Sequence, residues 1–326
     1  CYRNFITERY YINSKTGGAD FVSLDGKKEI PHHWTRGTCG MGVLPCNGLL
    51  YAGPYSCQCS IGVMAEGFNA YSSVEKLESP DQEISVERKP RLVKGPAYGK
   101  VPGDGAGAAE GDWPTYRHDG TRGGVSPSSV PAKIEPAWEV QFSTVPTAPV
   151  IANGTVFISQ GDNHTVCALD ASDGSIRWEY IAGARVDSPP TYHRGVVLFG
   201  SRDGWVHCLR ASDGELVWRF KDLPERMVCA RGQLESAWPV NGNILIKDGL
   251  AYFAAGRVSF LDGGIFLYAM EPETGELVHR RRVYGPFNEK TGFPATRNQG
   301  FKVDIPVTDG ERVYLRHKAF AGDRSD

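Results

Sequence analysis

No stretch of the 326-residue sequence approaches the ~18–20 consecutive apolar residues that a membrane-spanning helix needs. No charged-then-apolar leader opens it either, and the first residue is Cys1. Surplus positive charge is absent: 36 Lys plus Arg stand against 38 Asp plus Glu, a net charge of −2, so no summed field draws the chain to nucleic acid. The signatures of common catalytic schemes are missing as well. There is no glycine-rich phosphate loop, no His-Glu-x-x-His element and no hydrolase-type Ser, His and Asp order. Without a Cys-x-x-Cys-His run, covalent c-type haem attachment is unsupported.

What the chain does have is a repeat. Val166-Cys167-Ala168-Leu169-Asp170-Ala171-Ser172-Asp173-Gly174 leads to Trp178, and Val206-His207-Cys208-Leu209-Arg210-Ala211-Ser212-Asp213-Gly214 leads to Trp218. The spacing, 218 − 178, is 40 residues. Each phrase follows a short apolar run, Thr155-Val156-Phe157-Ile158 or Val196-Val197-Leu198-Phe199, too brief for a helix and rich in β-branched and aromatic residues. Such runs read as strands covered on both faces. Asn153-Gly154 and Arg194-Gly195 mark one turn, and the Asp-Gly pairs at 173–174 and 213–214 predict a tight hairpin with both central residues at positive φ. Four short antiparallel strands per 40-residue copy make the blade of an all-β propeller.

Weaker copies extend the pattern. Asp248-Gly249, Leu250-Ala251-Tyr252-Phe253-Ala254 and Glu273-Thr274-Gly275 form a third, although Gly275 lies 61 residues after Gly214, so this copy has gained residues. Asp309-Gly310 opens another. Near the start, Phe21 to Gly26 with Trp34 resembles the closing half of a blade, and Asn47-Gly48 begins the next. Cys1 has two readings, a lipid-modified first residue or an internal cysteine. Residues 2–11 are rich in aromatics and Arg rather than forming a flexible polar tether, so the propeller is expected to be incomplete at both ends. Residues 75–111 combine a charged stretch with a Pro/Gly/Ala-rich run and read as a linker. The expected organisation is partial blades over 1–74, that linker, and blades over 112–326, belonging to one propeller or to two.

The phrase from Ala168 to Trp178 resembles the repeat of the pyrroloquinoline quinone (PQQ)-like β-propellers, and Asp112-Trp113-Pro114 to Ser126 is similar to the lead-in of such proteins. The resemblance covers residues 112–326 and, more loosely, 17–71. It implies that Trp178 and Trp218 wedge between neighbouring blades, with Gly174 and Gly214 completing the docking motif. The third copy carries His279 near the tryptophan position. Two functions are open within this family. Quinoprotein dehydrogenases hold PQQ and calcium on the axis, whereas scaffold members assisting outer-membrane assembly bind no cofactor. The dehydrogenase reading implies calcium held by Glu, Asn and Asp oxygens, a Trp floor and often adjacent cysteines; this chain has no adjacent pair.

The segments leading into the first strand of each copy should face the channel mouth. Arg185 with Asp187, Glu235 with Trp238, and Asp304 lie there, able to hold a quinone or an ion, or merely paired with one another across a water-filled channel. For a calcium and PQQ site, Glu235 and Asp304 would supply oxygens and Trp238 a stacking surface. Among eight cysteines, the Cys39 to Cys59 cluster admits disulfides or a metal, and Cys167 and Cys208 read as buried thiols. His118, in the lead-in, reads as a loop residue bonding backbone. The reading that follows is a bacterial PQQ-like propeller, periplasmic or extracellular, binding a protein partner or small ligand at the channel mouth without a cofactor. The competing reading is a PQQ- and calcium-dependent alcohol or sugar dehydrogenase.

Overall fold

The computed structural model describes residues 3–15, 18–32, 35, 37, 40–53, 68–72, 90–101, 107–230, 232–259, 262–285 and 302–321. Among them every regular element is a β-strand. Cys1, His33, Trp34, Cys39, Cys57 and Cys59 lie outside the described residues, and with them most of the cysteine cluster.

Strands β1 (Phe5–Ile6), β2 (Tyr10–Lys15), β3 (Gly18–Ser23) and β4 (Glu29–His32) form a four-stranded sheet in that order. Strands β5 (Val43–Cys46), β6 (Leu49–Ala52) and β7 (Asn69–Ser72) form a three-stranded one. Within the stretch read as a linker, β8 (Arg91–Lys94) is a strand.

Three sheets of the repeat region follow. The first holds β9 (Val150–Ala152), β10 (Thr155–Gln160), β11 (Thr165–Asp170) and β12 (Ile176–Ile181). The second holds β13 (Thr191–His193), β14 (Val196–Gly200), β15 (Val206–Arg210) and β16 (Leu216–Lys221), with β8 added outside β16. A hairpin of β17 (Met227–Ala230) and β18 (Gln233–Ser236) precedes the third, which holds β19 (Leu245–Lys247), β20 (Leu250–Ala255), β21 (Ile265–Met270) and β22 (Leu277–Val283). Finally β23 (Val307–Thr308), β24 (Arg312–Leu315) and β25 (Lys318–Ala321) form a three-stranded sheet. All pairings are antiparallel and, apart from β8 with β16, sequential, the meander expected of blades. The hairpin of β17 and β18 lies in the connector of the third copy, where that copy has gained residues.

The second strands show why the sequence behaves this way. Every residue of β10, β14 and β20 is buried, which is why these runs lack the alternation of a half-exposed strand. Asn153 and Gly154 have φ of 49° and 70°, as do Asp248 and Gly249 at 49° and 78°, the geometry of type I′ turns. The Asp-Gly pairs of the docking phrase correct the sequence reading. Only the glycines, Gly174 at 76° and Gly214 at 72°, are left-handed. The loop is longer than two residues: Gly174 N donates to Asp170 O (2.9 Å), and Asp170 N donates to Ser175 O (2.8 Å). The Asp170 carboxylate accepts from Ser172 N and Oγ, so it organises the loop, and a register shift at Ala168/Leu169 absorbs the added residue.

Blades join through tryptophans. Trp178 Nε1 donates to Ala211 O at 2.9 Å, and Trp218 Nε1 to Pro272 O at 2.9 Å. A Cβ placed on Gly214 would come within 2.7 Å of the Trp178 ring, and one on Gly275 within 2.7 Å of Trp218. Trp138 repeats this one period earlier, 178 − 40: its Nε1 donates to Ala171 O at 3.0 Å, and its ring would meet a Cβ on Gly174 at 2.6 Å. His279 stands opposite Ala269 as Trp178 stands opposite Ala168, so it holds the tryptophan register in the third copy. Apolar clusters occupy the gaps between blades. Phe157, Trp178, Tyr192 and Phe199 fill the first, and Trp218, Phe253, Phe266 and Tyr268 the second.

Alternating strand directions give the assembly two ends. Inner strands β9, β13, β19 and β23 start at the end that carries the inter-blade connectors and finish at the end that carries the tight turns. The lead-in segment lies against these inner strands. Trp113 pairs with Ile151 of β9, Tyr192 N of β13 donates to Pro114 O, Thr115 Oγ1 donates to Asn243 Oδ1 just before β19, and Thr308 N of β23 donates to Gly120 O. Arg122 ties this segment down, donating to Thr115 Oγ1 at 2.9 Å, Tyr116 O at 2.9 Å and Pro306 O. Its burial lowers the guanidinium pKa to about 10.

Candidate functional site

At the connector end the charged residues form a belt. Arg185, in the connector before β13, is paired with Asp162 of the β10–β11 loop and, through Nε at 3.1 Å, with Asp187. Asp187 pairs in turn with Arg202, of the β14–β15 loop. Arg202 Nη1 donates to Glu235 Oε1 at 2.6 Å, and Arg257 Nη2 donates to Glu235 Oε2 at 2.7 Å. The order acid, base, acid, base, acid, base spans three blades and cancels to zero charge.

Backbone bonds step along the same path. Arg202 N donates to Arg185 O (2.9 Å), Ser236 N to Arg202 O (2.7 Å) and Val303 N to Arg257 O (2.9 Å). The belt is therefore stitched by main chain as well as by charge. Tyr71 of β7 reaches this region: burial raises its hydroxyl pKa to about 12, with Thr35, Cys229 and Arg257 acting on it.

The structure places the sequence-derived candidates unequally. Arg185, Asp187 and Glu235 come together in the belt. Glu235 is fully buried, its side chain 0 % exposed, with each carboxylate oxygen holding its own guanidinium. Trp238, read from sequence as a stacking surface, is 3 % exposed in the core between the second and third blades, and its Nε1 donates to Asp262 O at 2.8 Å. It offers no open face. Asp304 stands apart on the surface, receiving a hydrogen bond from Arg316 Nε at 3.1 Å.

This donor set does not fit calcium and PQQ. Calcium requires several hard oxygens converging on one point, yet Glu235 is consumed by two arginines, and no three His, Cys, Asp or Glu among the described residues form a metal-holding group. Sequence reasoning missed Arg202 and Arg257, which lie in loops after inner-region strands rather than before them. A count of charges at the equivalent loop of each copy would have flagged them.

A second polar network sits inside the second blade. His207, 1 % exposed, stacks on Phe199 at 5.0 Å and lies 3.2 Å from both Tyr180 Oη and Ser201 Oγ. Desolvation lowers its pKa to about 4, holding it neutral. The nearby Asp203 bonds Ser201 rather than the imidazole, so this is a structural network and not a nucleophile with its base. Burial raises the Cys167 thiol to about 11 and also pushes the Cys208 thiol well up, which makes both inert. Cys46 and Cys229 are exposed and free. Among the described residues no helix is long and apolar enough to cross a membrane.

Comparison with known proteins agrees with this architecture. A family model described as outer membrane protein assembly factor BamB matches residues 128–262 and 202–325. The dehydrogenase subunit of a quinone alcohol dehydrogenase from Gluconobacter oxydans is 27% identical over 206 residues, 57% of this chain and 27% of that protein. Outer membrane protein assembly factor BamB of Yersinia pestis is 28% identical over 134 residues, 41% of this chain and 30% of that protein. The chain thus spans under a third of the length of either relative. A solved quinohemoprotein alcohol dehydrogenase from Pseudomonas putida HK5 aligns with a TM-score of 0.47 at 19% identity, covering 63% of this chain and 34% of that one. BamB from Moraxella catarrhalis aligns over 98% of this chain and 86% of that one, with a TM-score of 0.38 at 14% identity. With four-stranded blades, docked tryptophans and a family match across its repeat half, the chain belongs to the PQQ-like repeat β-propeller family.

Proposed function

We propose that the chain acts as a non-catalytic binding module, a rigid propeller that presents its connector end to a protein partner or small ligand. One observation carries the reading: the acid best placed to hold a cofactor's cation, Glu235, is buried between Arg202 and Arg257. Opening it would take the Glu235 carboxylate from Arg257 and from Arg202, which would keep only Asp187 as an acidic partner. A neutralised belt stiffens the loops around the mouth and leaves the surface residues beyond it to choose the partner. Similarity to outer membrane protein assembly factors goes with such a platform role. The compartment that goes with it is the periplasm or cell exterior.

The quinoprotein dehydrogenase reading has one observation in its favour, the longer match to a quinone alcohol dehydrogenase subunit. It would need oxygen ligands other than Glu235. Equilibrium dialysis of the chain against PQQ with and without calcium chloride, followed by a dye-linked alcohol oxidation assay, separates the two. The binding-module reading expects no calcium-dependent PQQ retention and no turnover. Stoichiometric retention with alcohol-dependent dye reduction would replace it with the dehydrogenase.

A further inference from the structure

A second site lies at the opposite end of the axis and does not depend on the belt. Where the lead-in segment passes the turn of the second blade it leaves a cavity of about 480 Å³, within the usual range for small-molecule pockets. Pro114, Pro127, Tyr192 and Ile246 give it apolar walls. Its polar groups differ in how much bonding capacity remains. Asp112 accepts from Ala109 N at 2.7 Å and Asn153 N at 2.9 Å, and Asp119 accepts from Thr121 N at 2.9 Å and Thr121 Oγ1 at 2.7 Å. One oxygen of each carboxylate, Asp112 Oδ2 and Asp119 Oδ1, thereby holds a loop. Thr115 and Thr191 are bound to Asn243.

Arg194 and His118 keep bonding capacity, and a third lining residue, His193, has its Nε2 3.5 Å from Glu273 Oε1. Arg194, at the cavity rim, is exposed and forms no ion pair among the described residues. His118 presents Nδ1 to Asp119 Oδ2 at 3.5 Å and packs edge-on against Trp113 at 5.2 Å, which leaves its other ring nitrogen for a ligand. The expectation that His118 merely bonds backbone is not what its side chain does. Its main chain is also strained. Arg117 at φ 56°, His118 at 79° and Arg122 at 58° are three non-glycine residues in the left-handed region within six positions, each costing ~1–2 kcal/mol. Such clustering is typical where surrounding structure fixes a functional geometry. Arg122 is accounted for by the bonds it makes, and the turn closed by His118 N donating to Thr115 O carries the His118 imidazole into the cavity lining. Glu110, the remaining acid of the lining, is solvent-exposed.

We propose that this cavity binds a small organic carboxylate with an apolar body, its carboxylate held by the Arg194 guanidinium and the free His118 nitrogen. Phenylacetate is a suitable probe, followed by saturation-transfer NMR on the whole chain, with phenylacetamide as the neutral counterpart. Arg194→Asn removes the charge while suiting the left-handed turn position, because Asn-Gly is itself a favoured type I′ pair. The wild type should bind phenylacetate saturably. Phenylacetamide and the Arg194→Asn variant should each show at least ~10-fold weaker binding, the scale of one charge-assisted hydrogen bond. His118→Asn, which also tolerates positive φ, should weaken it as well. Near-ultraviolet circular dichroism checks that the variants are folded. No saturable signal from the wild type, equal binding of the amide, or phenylacetate affinity unchanged in a folded Arg194→Asn would each overturn the proposal.

Discussion

Replacing Glu235 with Gln probes the belt at its most buried point. The carboxylate has no solvent exposure and its partners Arg202 and Arg257 are 14% and 15% exposed, so little screening softens the change. Gln keeps the shape but leaves two guanidiniums facing a neutral amide. Breaking a buried pair in this way costs ~3–5 kcal/mol. With each kcal/mol worth ~2–4 °C in a domain of 150–250 residues, the midpoint should fall by ~6–20 °C. Calorimetry at constant pH and salt would read it directly. The triple variant Arg202→Met, Glu235→Leu, Arg257→Met, which removes all three charges together, should recover most of the loss, since apolar replacements of buried ion networks are commonly neutral or better. Asp187 would then retain Arg185 as its partner. A fall of less than ~2 °C in the single variant would refute the claim that Arg202 and Arg257 depend on the Glu235 charge.

Blade docking yields a paired comparison: Gly214→Ala should lose ~2–4 kcal/mol, because the added Cβ meets the Trp178 ring on top of left-handed strain, whereas Gly154→Ala, equally left-handed but in open space, should lose only ~1 kcal/mol. Equal losses by urea titration would remove Trp178 from the docking account. The pH dependence follows from His207, whose pKa is depressed from 6.5 to about 4 in the folded chain. The unfolded chain takes the proton first as pH falls, so stability is fully present above about 6.5 and declines between there and about 4. His207→Gln should flatten that part of a midpoint-against-pH profile, and an unchanged slope would assign it to other groups. Among the four described cysteines, Cys46 and Cys229 should react with a thiol reagent in the folded chain while Cys167 and Cys208 wait for unfolding. Rapid labelling of Cys208 would contradict its burial.

The fold was legible because a blade is a local object. Strands, turns and the docking phrase recur within 40 residues, so the repeat of Trp178 and Trp218 reports them directly. The same arithmetic carried one step back reaches Trp138, whose surroundings lack strand-like alternation and hide it. What the sequence concealed is non-local. β8 pairs with β16 across more than a hundred residues, Lys94 opposite Trp218, and its four residues amid Pro and Gly look like linker. The belt draws one or two charges from each of several loops, so no stretch of sequence is conspicuously charged. The turn-end cavity depends on the lead-in lying across inner strands, a placement that no periodicity encodes. Candidates chosen for position, such as Glu235, were therefore found without the partners that determine what they can do.

The central claim, that the acids at the propeller's connector end are taken up in an ionic belt and do not form a quinone site, is tested most directly by a thermal-unfolding scan of the chain with and without saturating PQQ plus calcium. A ligand at 100 times its dissociation constant would stabilise the folded state by ~2.7 kcal/mol, several degrees here. The account predicts superimposable transitions under all conditions. An upward shift that needs both PQQ and calcium together would contradict it and make the chain a cofactor-binding propeller.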